Sequence, residues 1–163
     1  MDDDSEPQVA LTALDPGQKW VMRVRALLTG LVPTAVSIAA DFVSEEQLGT
    51  PFGYLSGLAI ALYTVAAMGL PGRRFRRWGY QMGEGAIRIA CGLWVRRETI
   101  VPFARVQHID VSRGPIERAF GVATLTLHTA GSYNSTVVLP GLAYDDANII
   151  RETIRSHIRE DSP

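Results

Sequence analysis

A run of nineteen uncharged residues, 52–70, leads directly into a segment with four arginines at 71–77. As an α-helix this run spans about 28 Å, close to the roughly 30 Å of a bilayer's hydrocarbon core. Aromatic residues near its ends (Phe52, Tyr54 and Trp78) suit the headgroup region. The segment therefore predicts a membrane-spanning helix that ends at a basic cytoplasmic surface, and the rest of the chain must fit around it.

A shorter apolar run, residues 26–40, precedes this helix and is uncharged for fifteen residues. Alone it reaches about 22 Å, which a buried helix of a soluble protein would also explain. Arg23 and Arg25 can lengthen it by snorkelling, and bilayer helices tolerate the interior Pro33. The second crossing needs a partner, so we predict a transmembrane hairpin over residues 19–78. Its predicted parts are crossings at about 21–40 and 52–70 and an acidic external loop at 41–51.

Basic residues flank the hairpin at its two outer ends, whereas the segment 41–51 contains neither Lys nor Arg. Because basic residues stay on the cytoplasmic side, both termini are predicted to be cytoplasmic, in a multi-pass protein of the cell (inner) membrane. The same residues can attract anionic headgroups at about 1 kcal/mol each, although topology alone also explains them. They are Lys19, Arg23, Arg25, Arg73, Arg74, Arg76 and Arg77.

Gly53 and Gly57 form a G-x-x-x-G pair at the start of the second crossing. Such a pair lets two membrane helices approach closely, but glycine is also simply common in membrane helices. The second interpretation is favoured, and the first stays open.

The chain divides into three predicted parts. Residues 1–18 form a disordered N-terminal tail, acidic over 1–8, and an entry segment. Residues 19–78 form the hairpin, and residues 79–163 form a cytoplasmic domain. In that domain, Val122–Ala130 alternates as a half-buried strand does, and apolar residues at helical spacing follow from Tyr144. The predicted elements are strands at 80–82, 86–90, 93–95, 98–102, 106–112, 122–130 and 136–139, a turn at 131–135, a stop at Pro140-Gly141, and a helix at 144–159 whose apolar stripe includes Ile149.

Several short motifs follow one another through this domain: Arg97-Glu98-Thr99, Val101-Pro102, Arg105-Val106-Gln107-His108, Gly114-Pro115, Glu117-Arg118, Ala123-Thr124-Leu125, His128-Thr129-Ala130-Gly131 and Leu139-Pro140-Gly141-Leu142. Their order resembles the YdbS-like bacterial pleckstrin-homology (PH) domain family, from about Leu14 to the chain end. The resemblance implies a two-helix transmembrane hairpin and a mainly-β PH-like domain. That domain would be a bent antiparallel barrel or sandwich capped by a C-terminal α-helix. PH-like folds host several kinds of binding, so the fold alone implies no ligand.

No catalytic, cofactor-binding or metal-binding residue is predicted, and no cofactor. His108, His128 and His157 lack metal-ligand spacing to one another or to the single cysteine, Cys91. On a strand, His108 and Asp110 share a face, so an acid–base pair is geometrically possible. A packing or hydrogen-bonding role is favoured, because the sequence places no nucleophile or second carboxylate beside them.

Charge excludes some partners and leaves others open. The formal net charge of −1 predicts no nucleic-acid partner. Residues 79–163 carry nine arginines and nine acidic residues, which leaves only Arg96-Arg97 as a basic cluster. We therefore interpret the chain as a non-enzymatic module in the bilayer that binds other membrane-bound PH-domain proteins. The alternative is a domain that responds to anionic lipid headgroups; an enzyme is a third and weaker interpretation.

Overall fold

The computed structural model describes residues 11–49, 51–130 and 136–160. The tail predicted over 1–8 and the turn predicted at 131–135 lie outside these residues. In chain order the elements are β1 Thr12–Ala13, α1 Gly17–Thr29, α2 Leu31–Leu48, α3 Tyr54–Phe75, β2 Gly79–Met82, β3 Ala86–Cys91, β4 Arg97–Pro102, a 3-10 turn Phe103–Arg105, β5 Val106–Ser112, α4 Pro115–Ala119, β6 Val122–Thr129, β7 Thr136–Ala143 and α5 Tyr144–Glu160.

The hairpin consists of α1 and α2, which follow each other through Gly30, and of α3, which returns beside them. Within the described residues, the stretches Gly17–Glu46 and Tyr54–Phe75 are long and apolar enough to cross a membrane. Only 11% and 17% of their most apolar windows are buried. Apolar helices that leave their side chains exposed match the predicted transmembrane hairpin better than the core of a soluble protein.

The hairpin differs from its prediction at both helix ends. Residues 41–48, predicted as part of an external loop, continue α2, so the connection is confined to residues 49–53. The helix continues because Asp41 turns inward and its carboxylate accepts hydrogen bonds from the N–H groups of Leu55 and Ser56, each at 3.0 Å. At the other end α3 passes Pro71 and reaches Phe75, beyond the predicted residue 70.

Close approach of the helices occurs at Gly30 rather than at the G-x-x-x-G pair. A Cβ on Gly30 would overlap the ring of Tyr63, whose hydroxyl donates to the carbonyl of Ala26. A Cβ on Gly53 or Gly57 would have no contact within 4 Å among the described residues, apart from its chain neighbours and the backbone of its own helix. The close-packing interpretation of that pair is therefore wrong.

The described strands form two antiparallel sheets, ordered β1-β2-β3-β4 and β5-β6-β7. The inward face of β6 carries Ala123, Leu125 and Leu127, all fully buried, as the alternation predicts. The helix α5 covers the core with Ala147, Ile150 and Ile154, whereas Ile149 points outward. The predicted order of apolar helices, antiparallel strands and C-terminal helix is confirmed.

One predicted strand and the predicted end of another are wrong. Residues 93–95 form a bend between β3 and β4 instead of a strand. The strand β7 does not stop at Pro140-Gly141 but continues to Ala143. Proline lacks an N–H, yet β7 lies at the end of its sheet and Pro140 pairs where the register shifts between Ala123 and Thr124. Edge strands and bulges are the places where a sheet accepts proline.

The entry segment belongs structurally to the domain. β1 pairs with β2 through Thr12 and Tyr80, and the neighbouring Leu14 is buried in the domain core. The N–H of Asp15 donates to the carbonyl of Gly141 on β7 at 2.8 Å. The hairpin is thus inserted between the first and second strands of the domain, so the domain gathers residues from before and after the membrane helices.

Candidate functional site

The first turns of α1 lie directly on β7, and Gly141 makes this contact possible. Gly141 has a φ of 76°, which side-chain-bearing residues rarely adopt, and a Cβ there would overlap the side chain of Gln18. Gln18 and Val21 are consequently buried at the contact, at 2% and 0% exposure. The hairpin is therefore joined to the domain by packing as well as by the chain, which continues from Phe75 to Gly79 through only three residues.

A buried carboxylate strengthens the same junction. Glu117 on α4 is 4% exposed and accepts hydrogen bonds from the N–H of Gly114 at 2.7 Å and the hydroxyl of Thr124 at 2.9 Å. Arg25 on α1 donates its Nη2 to the same carboxylate at 3.0 Å. Because Arg25 remains half exposed, it can also reach solvent or a bound anion. Glu117 thus ties α4 and β6 to the membrane-proximal part of α1.

A cavity of about 490 Å³ opens beside this junction, between α1, α3 and the domain. Its volume falls in the range of small-ligand sites. Its walls are mainly apolar, and Arg25 and Arg74 supply its positive charge. It is lined by Gln18, Met22, Arg25, Ala26, Thr29, Tyr63, Ala66, Ala67, Leu70, Pro71, Arg74, Trp78, Leu93 and Pro140.

The polar groups of this cavity are unevenly satisfied. Arg25 has Glu117 as its counter-ion, whereas Arg74 forms no ion pair within residues 11–49, 51–130 and 136–160. The side-chain oxygen Oε1 of Gln18 is buried and accepts no hydrogen bond from the described residues. That oxygen has almost no accessible surface, so it is sealed from the cavity, and its missing donor costs free energy whatever the cavity holds.

A second concavity, of about 360 Å³, lies between the end of α3 and the bend that joins β3 to β4. It brings Arg76 and Arg77 of the hairpin together with Arg96 of the bend. At the tip of that bend Trp94 is 91% exposed, and Val95 is also exposed. The sequence does not reveal this tip, because Gly92 predicts a turn and the apolar residues 93–95 after it predict a strand instead of a longer bend.

The outer edge of β4 is free among the described strands, since β4 ends the order of its sheet. Ile100 on this strand is 57% exposed, although isoleucine is usually buried. An edge strand with unpaired N–H and C=O groups can accept a further strand from a partner. The edge and the exposed isoleucine together form a surface suited to another protein chain.

The His108–Asp110 pair that strand geometry makes possible is present, and a third residue, His128, joins it. His108 Nε2 lies 2.9 Å from Asp110 Oδ1, and His128 Nε2 lies 3.3 Å from Asp110 Oδ2. His108 and His128 face each other across β5 and β6 in register, so one carboxylate bridges two imidazoles on an exposed sheet face. No set of three His, Cys, Asp or Glu residues in the described ranges could hold a metal ion. The arrangement matches the hydrogen-bonding role.

The structure sorts the basic residues that sequence analysis treated as one group. Arg25 and Arg74 meet at the first cavity, and Arg76 and Arg77 meet Arg96 at the second. The roles of Gln18, Glu117 and Asp41 were not predicted. For Glu117 a signal was present: a Gly-Pro followed by Glu at the third helical position is typical of a capped helix start.

Similarity to known proteins extends over most of the chain. A family model described as Bacterial PH domain matches residues 26–158, which includes most of the hairpin. The UPF0699 transmembrane protein YdbS of Bacillus subtilis (strain 168) is 28% identical over 145 residues, or 86% of this chain and 88% of that protein. The UPF0699 transmembrane protein YdbT of the same organism is 27% identical over 82 residues, or 50% of this chain and 17% of that protein. No solved structure matches the chain.

Proposed function

The chain belongs to the bacterial PH domain family of transmembrane proteins, and on that premise we propose that it is a non-enzymatic interaction module. Its domain binds other membrane-bound PH-domain proteins at the cytoplasmic face. Both termini lie on that side of the cell membrane, where the basic residues flank the hairpin.

The observation that carries this proposal is the free edge of β4 with its exposed Ile100. Backbone groups on such an edge supply affinity for an added strand, and exposed side chains supply specificity. Because α1 packs on the domain and three residues separate α3 from β2, the edge stays close to the bilayer. A partner must therefore also be at the membrane.

A related protein supports the kind of partner. YdbT is similar to half of this chain but over only 17% of its own length, so a related segment occurs inside a longer transmembrane protein. Two related domains in one membrane could pair through similar strand edges. The proposed partner is therefore a membrane protein that carries such a related domain.

Site-specific photo-cross-linking of the full chain in native membranes tests it. A photoreactive amino acid at Ile100 is expected to capture a PH-domain membrane protein, identified by mass spectrometry. The control is the same amino acid at Ile149, which is exposed to a similar extent but lies on the outer face of α5. Capture of the same protein from both positions, or of lipid alone from position 100, contradicts the proposal.

A second candidate is a domain that responds to anionic lipid. It rests on the exposed Trp94 at the tip of the bend and on the concavity that Arg76, Arg77 and Arg96 line. An exposed tryptophan next to basic residues suits the headgroup region. Full-length protein in vesicles with brominated acyl chains tests this, with Trp94→Phe identifying the signal of Trp94. Salt-sensitive quenching in phosphatidylglycerol and not in phosphatidylcholine favours this candidate; equal quenching in both lipids contradicts it.

A further inference from the structure

We propose that the cavity between α1, α3 and β7 holds one resident phospholipid with an anionic headgroup. The site differs from the β4 edge, so the inference goes beyond the proposed function and does not depend on it. It adjoins the second concavity, since Trp78 lines both and Leu93 of the bend lines the cavity. The inference rests on the shape of the cavity and on its charge.

The cavity has the polarity of an amphiphile. Toward the hairpin it is walled by Ala26, Tyr63 and Ala66, which belong to the apolar helices. Toward the domain it is bounded by Gln18 and Pro140, at the junction that Gly141 permits. A phospholipid would place its head at the domain end and leave its chains beside the hairpin in the bilayer. A fully polar solute would gain nothing from the apolar end of the cavity.

Its charge suits a phosphodiester. Arg25 and Arg74 approach from different helices, and the guanidinium group matches phosphate oxygens in a bidentate geometry. Glu117 neutralises one of these two charges, which leaves a net charge of +1 beside the cavity. A zwitterionic headgroup would bring its own cation to the same place, whereas phosphatidylglycerol brings a single negative charge.

Native mass spectrometry of the full chain in a non-ionic detergent tests the inference, with phosphatidylglycerol, phosphatidylcholine and inorganic phosphate as separate probes. Wild-type protein is expected to retain one phosphatidylglycerol. Arg74→Gln should weaken retention about tenfold, as expected for losing one charge-assisted hydrogen bond. Its matched control is Arg73→Gln, which removes the same charge one residue away from a side chain that does not line the cavity.

Filling the cavity gives a second, independent variant. Ala66→Phe should abolish retention by occupying the apolar end, whereas Ala61→Phe, on an exposed face of the same helix, should not. Unchanged helical circular dichroism verifies that each variant is folded. Equal retention of phosphatidylcholine, displacement by inorganic phosphate alone, retention by Ala66→Phe, or equal loss in Arg73→Gln and Arg74→Gln would each overturn the inference.

Discussion

Apolar side chains are largely exposed in the hairpin and largely buried in the core of the domain. Leu62 on α3 is 64% exposed, whereas Leu127 on β6 is fully buried. In water the first would be unfavourable, but in a bilayer the lipid chains are as apolar as the side chain, so exposure costs little. Apolar burial therefore holds the domain together, and the hairpin must depend on other contacts.

Hydrogen bonds between the helices are among those other contacts. In the hairpin, Asp41 caps the start of α3 and the Tyr63 hydroxyl reaches the backbone of α1. At the junction, Glu117 joins α4, β6 and Arg25. One carboxylate thus secures the turn of the hairpin and another its attachment to the domain. The comparison can be tested by removing equivalent groups from the two regions.

The largest effect is expected from truncating leucines. Leu127→Ala creates a cavity in the domain core and should lower the free energy of unfolding by about 2–5 kcal/mol. Leu62→Ala removes the same atoms from a lipid-facing position and should stay within about 0.5 kcal/mol. Chemical denaturation of the detergent-solubilised protein, followed by circular dichroism, measures both. A large loss for Leu62→Ala would mean that α3 packs against protein at that position, and the contrast between the regions would fail.

A smaller effect is expected at the junction. Glu117→Ala leaves the N–H of Gly114 and the hydroxyl of Thr124 without their acceptor, which should cost about 1–3 kcal/mol. The ion pair with Arg25 adds little, because that guanidinium is 55% exposed and screened by water.

The control for this junction is Glu98→Ala, which breaks an exposed ion pair with Arg96 and should change stability by at most about 1 kcal/mol. The two variants are compared by thermal unfolding at equal protein and detergent concentrations. Similar shifts in the two variants would show that the buried carboxylate gives the junction no special stability.

Much of this arrangement follows from patterns along the chain. Alternation predicted β6 because one of its faces is buried, and helical spacing predicted the buried stripe of α5. The predicted ends of helices and strands were wrong where tertiary contacts determine where an element ends. The carboxylate of Asp41 finds donors fourteen and fifteen residues away, and Pro140 finds a register shift on the neighbouring strand. The cavity could not be predicted, since its arginines, Arg25 and Arg74, meet only after the hairpin closes.

The smallest effect is expected in the hairpin, at Asp41. An N-terminal cap is worth about 0.5–2 kcal/mol. The carboxylate also lies near the positive end of the α3 dipole, where a negative charge is stabilising. Asp41→Ala should therefore lower the resistance of the hairpin to unfolding in mixed micelles of sodium dodecyl sulfate by about 1 kcal/mol. Glu46→Ala, an exposed acidic residue on the same helix, should have no measurable effect. Equal destabilisation by the two variants would show that acidic charge near the turn matters and the cap does not. The hairpin would then lack the polar contact that compensates for its exposed apolar surface.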